Sequence, residues 1–363
     1  MSEDSDIGSR ESIAQLAESS TEVSEILSKL DSNDLLDPTD YRSARQQGEA
    51  FERAVLESLG PAEPELIETE SVIPMRDGYK HPLRITKPAH PPEGGSPLVI
   101  CFHGGGFMAG TIYNVAPYAR GIAKLFGAVV VAPTYRLAPE HAFPCGILDA
   151  WDAVKWIAAH ASDFSSTPSK GFILSGGSAG ANFVCVLAEV AKSEKLEPPL
   201  TGLWSCIPVL FTEDQESRDT IPQRYQEVWF SREQVEDTPI LTNKSARLLL
   251  EYYKPDVTSA LWSPFNAESP FKDLPPTFVQ VCGRDIIRDD GLIYERMLRD
   301  SGTKTRLNVY QGLPHCFWAF FPGYKGSKEF MVDVALGFAW LLNKDVELAD
   351  AEKAMIFPQL QVP

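Results

Sequence analysis

Gly176-Gly177-Ser178-Ala179-Gly180 follows an apolar run directly and opens a helical stretch. Glycines at the outer positions of a G-x-S-x-G sequence permit a sharp turn from strand to helix, which lifts the Ser hydroxyl above a sheet and beside a helix N-terminus. That placement suits a nucleophile; the competing reading is an ordinary Gly-rich loop. A second group, His103-Gly104-Gly105-Gly106, follows the apolar run Leu98–Phe102. Consecutive glycines let backbone N–H groups turn towards a developing oxyanion, where side chains would obstruct them. A flexible turn or a phosphate loop would look similar, but no Lys-Ser/Thr follows and no G-x-G-x-x-G is present. Both groups in one chain, in this order, are far more specific than either alone.

A nucleophilic Ser needs a base, and the base needs an orienting acid. Of the six His, His81 and His90 precede the core strands, and His103 belongs to the glycine loop. His141 lies in Ala138-Pro139-Glu140-His141, and His160 ends a helix. Only His315, in Gly312-Leu313-Pro314-His315, follows the last predicted strand; it is the candidate base, against the alternative of a surface His. Asp285 stands at the carboxyl end of the run Thr277–Cys282 and is the candidate acid. Asp289 and Asp290 are rivals, on the helix that follows.

The elements that must position these residues are legible as alternation. Leu66–Pro74 and His81–Lys87, separated by Arg76-Asp77-Gly78, read as a strand hairpin. Further apolar runs occur at Leu98–Phe102, Ala128–Ala132, Gly171–Leu174, Thr277–Cys282 and Thr305–Tyr310. Helical patterns lie between and after them, near 114–126, 146–160, 180–193, 288–301 and 328–343. Fully apolar strands alternating with helices predict an α/β fold with a mostly parallel sheet covered on both faces. Chemistry in such sheets sits in loops at the carboxyl ends of the strands.

Two regions depart from this rhythm. Residues 1–65 read as an acidic, helical N-terminal segment, with the first 20 expected to be disordered. Within it Val23, Ile26, Leu27 and Leu30 recur at helical spacing, Asp37-Pro38 breaks the run, and a second helix covers Tyr41 to Leu59 before Gly60-Pro61. Residues 211–260 are helical and polar, with Phe211, Tyr225, Trp229, Phe230, Tyr252 and Tyr253. They read as an inserted cap between two parts of the core, 66–210 and 261–363, and the aromatics either shape a pocket or pack the cap's own interior.

Five ordered blocks carry a resemblance: HGGGF at 103–107, YRLAPEHAFP at 135–144, GGSAGAN at 176–182, RDIIRDDG at 284–291 and GLPHCF at 312–317. Over about residues 66–345 the chain resembles the hormone-sensitive-lipase-like branch of the α/β-hydrolases, which includes many microbial carboxylesterases. The chain order Ser, Asp, His agrees with that fold. The resemblance implies Ser178 as nucleophile, Asp285 as acid and His315 as base. It also implies oxyanion donors at the N–H groups of Gly105, Gly106 and Ala179, and a cap built from the N-terminal helices and the insertion. Departures from the family pattern are Gly177 where Asp is usual, Ala181 where Gly is usual, and Cys316 in place of a Gly beside the His.

The implied activity is hydrolysis of small carboxylic esters with short to medium acyl chains through an acyl-enzyme, with no metal or organic cofactor. Amide cleavage, acyl transfer, or an elimination or cyclisation step in secondary metabolism would use the same site. Plant hormone receptors on this fold have lost the catalytic His, which His315 argues against. Composition agrees with an ordinary globular protein: 44% of the 363 residues are hydrophobic and 23% charged. Net charge is −17, of which −13 falls in residues 1–70, with 18 Asp+Glu against 5 Lys+Arg. That balance argues against binding nucleic acid, or associating stably with an anionic membrane, through a basic surface. The expected partner is the small-molecule ester, and a homodimer is compatible with the reading. The six cysteines form no CxxC pair, so neither a zinc site nor a disulfide framework is indicated. The start MSEDSDIGSRES lacks the basic and apolar parts of a secretion signal, so the expected location is the cytoplasm.

Overall fold

The computed structural model describes residues 8–28, 40–236 and 238–355. Leu30, the Asp37-Pro38 break and residues 1–7 of the stretch expected to be disordered lie outside the described residues.

The centre is an eight-stranded sheet in the order β1-β2-β4-β3-β5-β6-β7-β8. The hairpin β1 (Leu66–Pro74) and β2 (Lys80–Pro88) forms one edge, and β2 meets β4 (Val129–Pro133) antiparallel. All later pairings are parallel, through β3 (Leu98–Phe102), β5 (Phe172–Gly177), β6 (Gly202–Cys206), β7 (Thr277–Cys282) and β8 (Thr305–Tyr310). Successive side chains of a strand point to opposite faces, and β3 divides accordingly. Leu98, Ile100 and Phe102 join one core, while Val99 and Cys101 join the other.

The first core is covered by α5 (Cys145–Ala159), α6 (Ala179–Ser193) and α11 (Arg288–Asp300). The second is covered by α4 (Ala116–Phe126), α13 (Lys325–Leu342) and α14 (Leu348–Ala354). Helices on both faces of a mostly parallel sheet give the α/β architecture that the alternation predicts, and the topology agrees with the α/β-hydrolase fold that the resemblance implies. One strand escaped that alternation: β6 is only Gly-Leu-Trp-Ser-Cys, and its interior Ser205 hides the apolar run.

The N-terminal region holds α1 (Arg10–Gln15), α2 (Thr21–Leu27) and α3 (Tyr41–Ser58). The expectation of disorder over the first 20 residues does not hold for residues 8–20. Ile13 of α1 is 1% exposed, and the segment after it bonds to the core: Gly312 donates its N–H to Leu16 at 2.7 Å, and Ser19 Oγ donates to the Gly312 carbonyl at 2.6 Å. The helix α3 is fastened by Arg45, which donates to the carbonyls of Met108 (2.9 Å) and Ala138 (2.8 Å) and pairs with Glu140.

Residues 211–260 contain α7 (Gln215–Asp219), α8 (Gln223–Gln226), α9 (Ser231–Gln234) and α10 (Asn243–Tyr253). A capping box between Thr242 and Ser245 starts α10. Its far end is packed by Tyr253, whose ring stacks on Phe107 at 4.0 Å. The remaining helix, α12 (Phe317–Phe320), follows the loop after β8. No helix among the described residues is long and apolar enough to cross a membrane.

Candidate active site

Ser178 sits between β5 and α6 with φ 55° and ψ −119°, a conformation that L-residues rarely adopt. Such strain persists only where the surroundings enforce it. They do so through close backbone approach at both outer glycines. A Cβ at Gly180 would lie 2.3 Å from the Phe102 carbonyl oxygen, and one at Gly176 would lie 2.6 Å from Gly180. The inner glycine differs: a Cβ at Gly177 would meet nothing within 4 Å, so the Asp usual in the resembled family would find room there. The turn is held by the Ser178 N–H, which donates to Cys206 at 2.9 Å.

Three separate loops at the carboxyl ends of β5, β7 and β8 bring Ser178, Asp285 and His315 together. His315 Nε2 lies 3.0 Å from Ser178 Oγ, and His315 Nδ1 lies 2.6 Å from Asp285 Oδ2. An ionised carboxylate only accepts, so Nδ1 carries the proton and Nε2 turns its lone pair towards the Ser hydroxyl. The second oxygen of Asp285 accepts from the Ile287 N–H at 3.1 Å. Asp285 is fully buried and His315 is 4% exposed. Burial alone would push the imidazolium pKa down, but the Asp285 charge outweighs it and holds His315 well above its ordinary value near 6.5.

The rivals Asp289 and Asp290 are engaged elsewhere. Asp289 accepts from the N–H groups of Phe230 (2.7 Å) and Ser231 (2.6 Å) and from Arg288 Nε (2.7 Å). Asp290 accepts from the N–H groups of Leu210 and Phe211, from Trp229 Nε1 and from Arg232. These two carboxylates bind residues 210–211 and 229–232 to α11.

The glycine loop lies against the Ser. A Cβ at Gly104 would be 3.0 Å from the Gly177 oxygen and 3.4 Å from Ser178 Cβ. Gly105 and Gly106 have φ of 112° and 59°, where glycine is favoured. His103 is buried and its pKa is pushed down to about 4 by that burial. Its ring therefore stays neutral, with Nδ1 2.8 Å from the Gly104 oxygen, Nε2 3.0 Å from Thr134 Oγ1, and Tyr135 stacked on its face at 4.3 Å. This clamp fixes the loop's path. The other histidines are remote in role: His81 bonds Asp149 at 3.0 Å, and His160 stacks on Trp156.

Ser178, His315 and Gly104–Gly106 line a cavity of about 660 Å³. Its walls are mainly apolar, with Phe51 and Val55 from α3, Leu249 and Leu250 from α10, and Trp204 and Trp318 from the core. Volumes of this size hold small organic ligands. The aromatics of the insertion named from sequence are not part of that wall. Trp229, for example, packs between Arg218 and Arg232 and donates to Asp290 at 3.0 Å. Among the polar wall residues that sequence reasoning missed, Glu52 is a buried carboxylate. The signal was there, since Glu52 shares the face of α3 that carries Ala44, Gly48, Phe51 and Val55.

The α/β hydrolase fold family matches residues 99–319. An AB hydrolase superfamily protein of Schizosaccharomyces pombe is 35% identical over 84% of this chain and 88% of its own length. Versiconal hemiacetal acetate esterase of Dothistroma septosporum is 31% identical over 68% of this chain and 75% of its own. Among solved structures, vibralactone cyclase superposes with a TM-score of 0.82 at 28% identity, covering 91% of this chain and 96% of that one. The chain belongs to the α/β hydrolase family, on the hormone-sensitive-lipase-like branch that its five sequence blocks resemble.

Proposed function

We propose that the protein is a serine carboxylic-ester hydrolase acting on small esters through an acyl-enzyme. The observation that carries this reading is the hydrogen-bonded series Ser178 Oγ, His315, Asp285 at the wall of an apolar cavity. In acylation, His315 Nε2 takes the Ser178 proton as Oγ bonds the ester carbon. The tetrahedral oxyanion is met by the N–H groups of Gly105, Gly106 and Ala179, the last at the N-terminus of α6, where backbone donors have no intrahelical partner. His315 then gives its proton to the departing alkoxide, and the carbon–oxygen bond breaks. Water repeats the cycle on the acyl-enzyme, releasing the acid and restoring Ser178. Asp285 keeps the imidazole in the useful tautomer and stabilises its charge.

The likeness to a named esterase, versiconal hemiacetal acetate esterase, supports the ester as substrate class. The likeness to vibralactone cyclase supports a second reading, ring closure, in which a hydroxyl of the acyl group itself replaces water as acceptor. Product analysis separates the two, because hydrolysis releases a free acid and closure a lactone. The test of the proposal is Ser178→Ala, checked for native folding and assayed on p-nitrophenyl esters. Loss of the nucleophile from a coupled triad lowers kcat by roughly 10⁶, so turnover should fall to background. Near-wild-type turnover in the alanine variant would overturn the mechanism.

A further inference from the structure

We propose that Glu52 is a specificity-determining carboxylate that accepts a hydrogen bond from a hydroxyl on the substrate, so that the preferred esters carry a hydroxyl away from the ester group. The inference rests on the ester-hydrolase reading and adds to it the chemistry of the substrate. Glu52 is 7% exposed and forms part of the cavity wall, on the α3 face otherwise made of Ala44, Gly48, Phe51 and Val55. A carboxylate in an apolar wall is costly unless its oxygens are well met. Here they are only partly met: Thr111 Oγ1 donates to one oxygen at 2.5 Å, and Asn114 Nδ2 donates to the other at 2.8 Å. Thr111 also approaches through its backbone N–H, but all these donors are neutral, and three donors still leave an acceptor position of the carboxylate open.

The other buried charged groups of the wall are occupied. Arg232 is paired with Asp290, and His315 is paired with Asp285. Glu52 also has the pKa expected of an incompletely compensated group. Burial raises it to about 7, against the lowering effect of Thr111 and Asn114 and with a small further push from the Glu49 charge. If the carboxyl served only to tie α3 to residues 111–114, a Gln would reach the same two partners without the cost of burying a charge. A hydroxyl donor from the substrate would complete the site, and it would do so only for substrates long enough to reach α3.

The test compares esters in matched pairs, one member ending in a methyl group and the other in a hydroxyl. The ending is varied in the acyl arm and, separately, in the alcohol arm, over a series of chain lengths. Assays at about pH 8 keep the carboxylate form populated. A hydrogen bond to a charged group is commonly worth about tenfold or more. The wild-type protein should therefore favour the hydroxyl-ended ester by about that factor at one length in one arm, through KM. In Glu52→Leu the ratio between pair members should fall to one or below. Glu52→Gln, which still reaches Thr111 and Asn114, should keep a weakened preference, and it decides the matter if Glu52→Leu does not fold. Calorimetric binding of the same pairs to Ser178→Ala protein reads the preference without turnover. Absence of hydrolysis would therefore count against the ester-hydrolase reading alone. Equal hydroxyl preference in the wild type and both Glu52 variants, or no hydroxyl preference in either arm, would overturn the role of Glu52.

Discussion

Three carboxylates, Asp285, Asp289 and Asp290, stand within six residues of one another, are all fully buried, and differ in what they touch. Asp285 meets the imidazole of His315, whereas Asp289 and Asp290 meet backbone and Arg donors of the insertion. Asp285→Asn should leave the imidazole in the wrong tautomer and lower kcat by about 10⁴. Asp289→Asn should act mainly on stability, because its oxygens hold Phe230 and Ser231. Comparing kcat and urea midpoints of the two variants checks this, and the reverse ranking would contradict it. The pH profile adds a second reading of the same pair. His315 works as a base only when neutral, so kcat/KM should rise with pH through its pKa, with the midpoint above 6.5 because Asp285 raises it. Removing the Asp285 charge should move the residual acid limb to lower pH; an unmoved limb would show that the charge does not act on His315. Sequence could rank Asp285 first by its place at a strand end, but it left the rivals open. A carboxylate that orients a His and one that anchors a loop have the same residue type, and only the partner distinguishes them. Glu52 was hidden for a related reason: among Glu49, Arg53 and Glu57 on a helix of mixed charge it resembles one more solvated charge.

Elements carry the next level of control, and the N-terminal segment is the least obvious of them. A Cβ at Gly283 would lie 2.0 Å from the Leu16 oxygen, and one at Gly312 would lie 2.5 Å from the Glu18 oxygen. Residues 16–19 thus press on the two loops that carry Asp285 and His315, and Ala17 packs behind the wall residues Leu241 and Ile287. Deleting residues 1–19 should therefore lower kcat together with Tm, measured on short p-nitrophenyl esters and by thermal unfolding. If the segment acted only as a cap over the substrate, KM would change and kcat would not. The main strands and helices were legible because each face of the sheet is covered, so strands read as unbroken apolar runs between amphipathic stretches. The segment from Arg10 to Gln15 was not legible, since a helix this short buries little more than Ile13 and its sequence is dominated by polar residues. It is tied down by long-range bonds that no local pattern reveals: Arg10 donates to the Glu227 carbonyl, Gln234 to the Ala14 carbonyl, and the Gly312 N–H to Leu16 just beyond the helix.

At the scale of the whole molecule, the sheet fixes three loops at one edge of its strands, while α3 and α10 close a cavity of about 660 Å³ over them. That size limits the substrate. Each additional buried CH₂ should contribute about 0.8 kcal/mol, roughly a fourfold gain in kcat/KM, until the space is filled. Among p-nitrophenyl esters from acetate to palmitate, the rate should therefore rise from acetate and fall once the chain outgrows the cavity, and the small-ester reading places that optimum at a short or medium chain. Trp229→Ala should destabilise the fold without moving that optimum, because Trp229 does not line the cavity but packs behind it, against Arg218, Asp290 and the wall residue Arg232. A maximum at palmitate, or a jump in rate when substrate forms droplets, would contradict an enclosed site. The mechanism proposed for the molecule depends on covalent chemistry at one oxygen, and that chemistry can be read directly. Wild-type protein mixed with excess p-nitrophenyl butyrate, quenched in acid during turnover and digested, should show by mass spectrometry a butyryl group on the peptide containing Ser178. The same treatment of Ser178→Ala should show none. A butyryl group on another residue, or steady hydrolysis by the Ser178→Ala protein, would contradict the acyl-enzyme mechanism.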